Sequence, residues 1–248
     1  PVPVLGGVAV FFGMSVALAA AGMIHDVSNL FAMVCAMVIM LYVGTMDDII
    51  GLTPKIRFII EIIVVLLLIY CNNYSIDNFH GLWGIYAIPN WLAIPLTVFA
   101  CVGIINAINL IDGVNGLSSG YCIVTCLIFG FAFIITGDVS RASLAILAIG
   151  ALIPFFFHNV FGKESKMFIG DGGTLLMGTI MSAFVINAIK TDSTITMFTP
   201  ANFGVIPFTL ALLVIPVFDT IRVMTARILR GTSPFNPDKT HLHHLLLD

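Results

Sequence analysis

A chain of 248 residues that is 59% hydrophobic and only 9% charged, with a mean hydropathy of +1.10, is no ordinary soluble domain, in which about a quarter of residues are charged. Its formal charge of -3 provides no basic surface for a nucleic-acid partner. The composition makes it an all-α polytopic membrane protein, a single transmembrane domain over 1–248 with room for about eight spans and short loops.

Eight apolar runs predict eight helices, at roughly 4–24, 30–46, 56–70, 91–110, 117–136, 142–157, 174–189 and 203–221. The chain opens Pro1-Val-Pro3 with no Met and no signal-peptide pattern, and reads as a fragment lacking an N-terminal segment. Asp47-Asp48 stand at the mouth of a helix, where one acid could simply complement a helix dipole. Two adjacent carboxylates repel, however, and a nearby cation is the usual reason to keep both ionised. Thr53 as N-cap with Pro54 at the first position starts the third run. Glu61 lies two turns inside that run, a depth at which an ionisable group usually faces a polar cavity. Between Asn72 and Asn90, an aromatic stretch punctuated by glycine reads as a short extracytoplasmic hairpin. Cys35, Cys71, Cys101, Cys122 and Cys126 lack metal-site spacing and read as small core residues.

The fourth run ends in Asn106-Ala-Ile-Asn109-Leu-Ile-Asp112-Gly-Val-Asn115-Gly116. If the helix persists, these polar residues share one face at i, i+3 and i+4 spacing; the plain alternative is a helix end capped by Asn and Asp. Further on, Asn159 follows His158, and Phe168-Ile-Gly170-Asp171-Gly172-Gly173 embeds an acid among glycines at the start of an apolar run. Glycine there admits a phosphate or a metal to the backbone, although a loop-to-helix turn needs glycine as well. Near the end of the chain, Thr240-His241-Leu242-His243-His244 has no Glu or Cys at zinc-site spacing. Imidazoles that hydrogen-bond a sugar or a phosphate fit it better.

Eight crossings place the loops on alternate sides of the membrane. Lys55, Arg57, Lys163, Lys166, Arg222, Arg227, Arg230 and Lys239 then share one side, with Arg141 and Lys190 on the other, so the first side is cytoplasmic. The same alternation brings Asp47, Asp48, Asp112, Asn115, His158, Asn159, Asp171 and His241 to His244 to the cytoplasmic side. Oxygen donors without cysteine suit a hard cation such as Mg²⁺, with Lys55, Arg57, Arg222 and Arg227 to neutralise phosphate.

In order, these motifs are Pro3-x-x-Gly6-Gly7, Asp47-Asp48 followed by Lys55-Ile-Arg57, Asn106 to Gly116, Asn159, Phe168-x-Gly170-Asp171-x-Gly173 and Ser233-Pro-Phe-x-Pro-Asp238-x-x-His241-Leu-His243-His244. Over nearly the whole chain they resemble the polyprenyl-phosphate N-acetylhexosamine-1-phosphate transferases (glycosyltransferase family 4). The closing histidines resemble its WecA/TagO-like branch more than its MraY-like, peptidoglycan branch. Asn115 stands where many members carry a second aspartate. Members have ten or eleven helices, so this chain would lack one or two at each end.

The resemblance implies a bacterial plasma-membrane enzyme with a cytoplasmic active site. It would transfer N-acetylhexosamine-1-phosphate, foremost GlcNAc-1-phosphate, from a UDP-sugar to undecaprenyl phosphate, using Mg²⁺ or alternatively Mn²⁺ and releasing UMP. It leaves room for a homodimer in the bilayer. Asp171 and Asn109 would hold the metal. Asp47 would act on the lipid phosphate with support from Asp48. Asp112, counted with the catalytic acids, would contact the nucleoside together with Asn115 and Asn159. Lys55 would bind phosphate, Asn106 would contribute to substrate binding, and His241, His243 and His244 would lie by the sugar and its phosphate. Two rivals remain from other classes. An intramembrane aspartyl protease would use two such acids but leave the basic loops idle, and a transporter would place acids near mid-membrane.

Overall fold

The computed structural model describes residues 4–162, 167–193, 195, 204–229 and 231. Helices α1 (Gly6–Gly22), α2 (Phe31–Ile50), α3 (Pro54–Asn72), α4 (Asn90–Leu110), α5 (Leu117–Ile135), α6 (Val139–Phe161) and α7 (Gly170–Ile189) follow the first seven apolar runs. The eighth run divides into α8 (Val205–Leu212) and α9 (Val214–Leu229), bent by 75° at Leu213. Pro216 has no N–H to return to the carbonyl four residues back, at Leu212, and its ring crowds that carbonyl. The Tyr121 hydroxyl of α5 donates to the Leu212 carbonyl instead, so the break leaves it satisfied.

Among the described residues, five helices are long and apolar enough to cross a membrane, or six with the bent pair as one span. The expected count of eight is therefore not reached on these grounds. Helix α1 has 17 residues, and α3 carries Lys55, Arg57 and Glu61 within its 19. The protein is nonetheless an all-helical, multi-pass membrane protein. Outward-facing Phe12, Phe31, Phe99, Phe131 and Phe161 are exposed on the bundle surface, as lipid requires. The hairpin forms over 77–88, with the Phe79 amide donating to the Tyr86 carbonyl at 2.9 Å and the Ile88 amide to the Asp77 carbonyl at 2.8 Å. Exposed Trp83, Tyr86 and Trp91 in and beside it make an aromatic anchor at that membrane boundary.

Helix α7 runs through the middle of the bundle, against α1, α2, α4, α5 and α8, and every one of its residues but Asp171 is buried. Its small side chains explain how so many neighbours fit: in lipid, where no water drives helices together, close backbone approach supplies the packing. A Cβ on Gly44 of α2 would lie 2.4 Å from the Asp171 carbonyl oxygen, and one on Gly178 would lie 2.7 Å from the Ile105 Cα of α4. At its first turn α1 is pinned to the approach to α7, with the Gly6 amide donating to the Phe168 carbonyl and the Gly7 amide to that of Ile169.

Gly44→Ala should therefore push α2 from α7 and cost about 1–3 kcal/mol, read as a melting temperature several degrees lower in detergent. Gly103→Ala, where a Cβ meets nothing within 4 Å, should melt at or above the wild type. An equal loss in both variants would discard close approach as the cause.

Candidate active site

The polar ends of α2, α3, α4, α5, α6 and α7 converge at one end of the bundle, as the loop alternation anticipates. Helix α2 stops at Gly51, whose left-handed backbone (φ 66°) lets its amide return to the Asp47 carbonyl. The chain then turns back, and the Leu52 amide donates to Asp47 Oδ1 at 2.8 Å. Asp47 and Asp48 thus sit in the last turn of α2, where the helix dipole disfavours an acid, so the reading of one as an N-terminal dipole charge fails.

Asp48 finds its compensation across the bundle. Its Oδ1 accepts the Asp171 amide at 3.0 Å and its Oδ2 accepts the Gly172 amide at 3.2 Å. These are unpaired donors of the first turn of α7, so Asp48 caps that helix from another one and lies at its positive end. Ile169, the residue at the N-cap position, makes no side-chain cap of its own. Thr53 likewise occupies the expected N-cap position of α3, but its side chain does not cap; its carbonyl accepts the Ile56 and Arg57 amides instead.

Arg57, one turn into α3, is the centre of the cluster. Nη1 lies 3.1 Å from Asp47 Oδ2 and 3.5 Å from Asp171 Oδ2, Nη2 donates to Asn106 Oδ1 at 3.0 Å, and Nε lies 3.4 Å from Glu61 Oε1. Glu61 is fully buried one turn further on, and its Oε2 accepts the Asn106 amide. Its Oε1 faces Arg57 without hydrogen-bond geometry. A guanidinium and an amide thus meet Glu61, in place of the expected cavity. Asn109 donates its amide N–H groups to Asp171 Oδ1 and Thr174 Oγ1, both at 2.8 Å, which orients the acid against α4. Thr174 went unnoticed in the sequence, although three residues beyond Asp171 on a helix puts it on the same face.

Helix α4 ends at Leu110, so Asp112 and Asn115 leave the face that carries Asn106 and Asn109 and lie in the turn 111–116. The expected four-residue polar stripe is therefore two residues long. Asp112 accepts the Ser118 hydroxyl from the first turn of α5. Burial pushes its carboxyl up to about 6 against the lowering effect of that bond, with Asp171 and Asp48 raising it further. Asn159 is buried, and its amide ties the turn to the strand of chain before α7: Oδ1 accepts the Gly116 amide at 2.7 Å and Nδ2 donates to the Met167 carbonyl at 2.9 Å. Asn115 and Lys55 are exposed. His241, His243 and His244 lie outside the described residues.

Among the described residues no three acids, histidines or cysteines gather as a ready metal cage. A hard ion of the Mg²⁺ kind needs less, because it takes one or two carboxylates and leaves its other positions to water and phosphate. Asp171, 36% exposed and held by Arg57 only at 3.5 Å, offers Oδ2, and Asn109 keeps its amide oxygen after spending its N–H groups. That donor set fits such an ion. It does not fit an aspartyl dyad, since a guanidinium separates Asp47 from Asp171.

A family model described as Glycosyl transferase family 4 matches residues 30–189. Across 99% of its length the chain is 31% identical to a probable undecaprenyl-phosphate N-acetylglucosaminyl 1-phosphate transferase of Bacillus subtilis (strain 168). It is 30% identical to the undecaprenyl-phosphate alpha-N-acetylglucosaminyl 1-phosphate transferase of Escherichia coli O157:H7 over the same share, and 29% to that of Yersinia pestis. The chain spans 65 to 66% of the length of these relatives. The resemblance read from the ordered motifs is borne out.

Two outcomes follow from this geometry. Asp48→Ala should cost about 0.5–2 kcal/mol through the lost cap, and Asp48→Asn, which keeps an acceptor, clearly less; thermal melting of the two variants that failed to differ would remove Asp48 from that role. Asp112, raised in the fold, contributes stability that is complete below its unfolded value near 3.8 and is lost as pH rises through about 6. The melting temperature of the wild type relative to Asp112→Asn should thus decline between roughly pH 4 and 7, and a flat difference would deny the buried setting.

Proposed function

Because the chain belongs to glycosyl transferase family 4, we propose that it transfers GlcNAc-1-phosphate from UDP-GlcNAc to undecaprenyl phosphate, as the first membrane step in making a surface polysaccharide or teichoic acid. The observation that carries this reading is the gathering of Asp47, Arg57, Asn106, Asn109 and Asp171 at one end of a membrane bundle, where a soluble nucleotide sugar can meet a lipid phosphate. The names of the relatives favour N-acetylglucosamine over the muramoyl-pentapeptide of the peptidoglycan branch.

Phosphoryl transfer asks the protein mainly for positioning and for neutralisation of charge. Asp47 would orient the lipid phosphate and take its proton. The phosphate oxygen then attacks the phosphorus that bears the sugar, the bond to the uridine-bearing phosphate breaks, and UMP departs with the electron pair. Lys55, exposed in the first turn of α3, would receive phosphate. Asp112 and Asn115 would contact the nucleoside on the turn that Asn159 holds, and His241, His243 and His244 would meet the sugar phosphate. Mg²⁺, held by Asp171 and Asn109, would supply neutralisation of the pyrophosphate when bound. The cation bias supports a cytoplasmic position for this end in a bacterial plasma membrane: Arg141 starts α6 and Lys190 ends α7, both at the opposite end from Asp171.

Release of UMP from UDP-GlcNAc in the presence of undecaprenyl phosphate is the direct assay. Asp171→Asn should lower the rate by about 10²-fold or more, and the wild type should lose activity in EDTA and regain it with Mg²⁺. Near-normal turnover by Asp171→Asn would remove the residue from the chemistry, and release of UMP without the lipid acceptor would overturn the transfer reading.

A further inference from the structure

Three carboxylates, those of Asp47, Glu61 and Asp171, surround one guanidinium, and the amide of Asn106 takes its remaining reach. Three acids thus share one arginine, while Asp48 is spent on the first turn of α7. The contacts of Arg57 are unequal. Asn106 and Asp47 are within 3.1 Å, on buried or half-buried partners, and Glu61 has no solvent at all. Asp171, at 3.5 Å against 3.4 Å for Glu61, is the most distant and the most exposed, and its other oxygen is already held by Asn109.

We propose that Arg57 is a resident counter-ion for Asp171 that competes with a divalent cation and yields to it. This rests on the assignment of Asp171 to the metal. In the free protein the guanidinium lies between Asp47 and Asp171 and lowers the repulsion between them at a membrane boundary, where an uncompensated charge is costly. When a divalent cation takes Asp171, Arg57 lets go of its longest contact and keeps Asp47, Asn106 and Glu61. Glu61 is in this view a positioning residue: a buried acid one helical turn from Arg57 keeps the guanidinium in the cluster after it releases Asp171. The arrangement makes the site selective for a doubly charged ion, since a single charge gains little by replacing a guanidinium already in place.

The test is direct binding of Mn²⁺ to the purified, nucleotide-free protein, read as loss of the free-ion EPR signal and thus independent of turnover. Removing a unit positive charge a few ångströms from the ion should strengthen binding, so Arg57→Gln should hold Mn²⁺ roughly tenfold or more tighter than the wild type. Asp171→Asn should lose binding. If Arg57→Gln does not fold, Arg57→Lys serves, because a single ammonium cannot span both carboxylates as the planar fork does, and a smaller gain is expected. Equal or weaker binding in a folded Arg57 variant, with binding still lost in Asp171→Asn, overturns the exchange while leaving the metal assignment standing. Undiminished binding in Asp171→Asn overturns both.

Discussion

The site depends on one electrostatic constraint: several acids crowd together at the edge of a low-dielectric slab, with one arginine among them. Arg57 meets it by geometry, since a planar guanidinium can address Asp47, Asp171, Glu61 and Asn106 in different directions at once, which a lysine ammonium could not do with fixed orientation. Asp171, the most exposed of these acids, is held by the longest of the Arg57 contacts, at 3.5 Å.

That cluster could not be held without α7. Its N-terminus sets Asp171, and its burial fixes the distance to α2 and α4, from which Asp47, Asp48 and Asn109 project. Small residues allow the approach, and Asp48 closes it by accepting two amides of the first turn. Packing and electrostatics are thereby the same device: the helix that carries Asp171 is capped by the acid next to Asp47. Asn159 performs a similar service for the turn that carries Asp112, using both ends of its amide.

Much of this was legible beforehand because the bilayer imposes strict rules on sequence. Apolar runs, loop alternation and the bias of lysine and arginine located the helices and brought Asp47, Asp112, Asn159 and Asp171 to one side without reference to chemistry. The ordered motifs carried the family, which the relatives bear out. The number of spans was less legible, because the charges of α3 and the kink that Pro216 introduces defeat a reading by hydropathy alone.

What the sequence by itself determined is the class, the helix order and the polarity of each helix end, since these follow from local composition and from chain alternation. Only the tertiary structure decided which polar residues touch. Arg57 was one phosphate-binding cation among four until α3 was packed against α2 and α4, and Glu61 was an isolated buried acid until Asn106 and Arg57 were seen to face it. Asp48 could not be distinguished from Asp47, since adjacent residues on a helix point about 100° apart and the partner of each depends on which neighbour lies in that direction. The stripe from Asn106 to Asn115 was broken for the same reason: helical periodicity fixes a face only while the helix lasts, and α4 stops at Leu110, where the chain turns into α5.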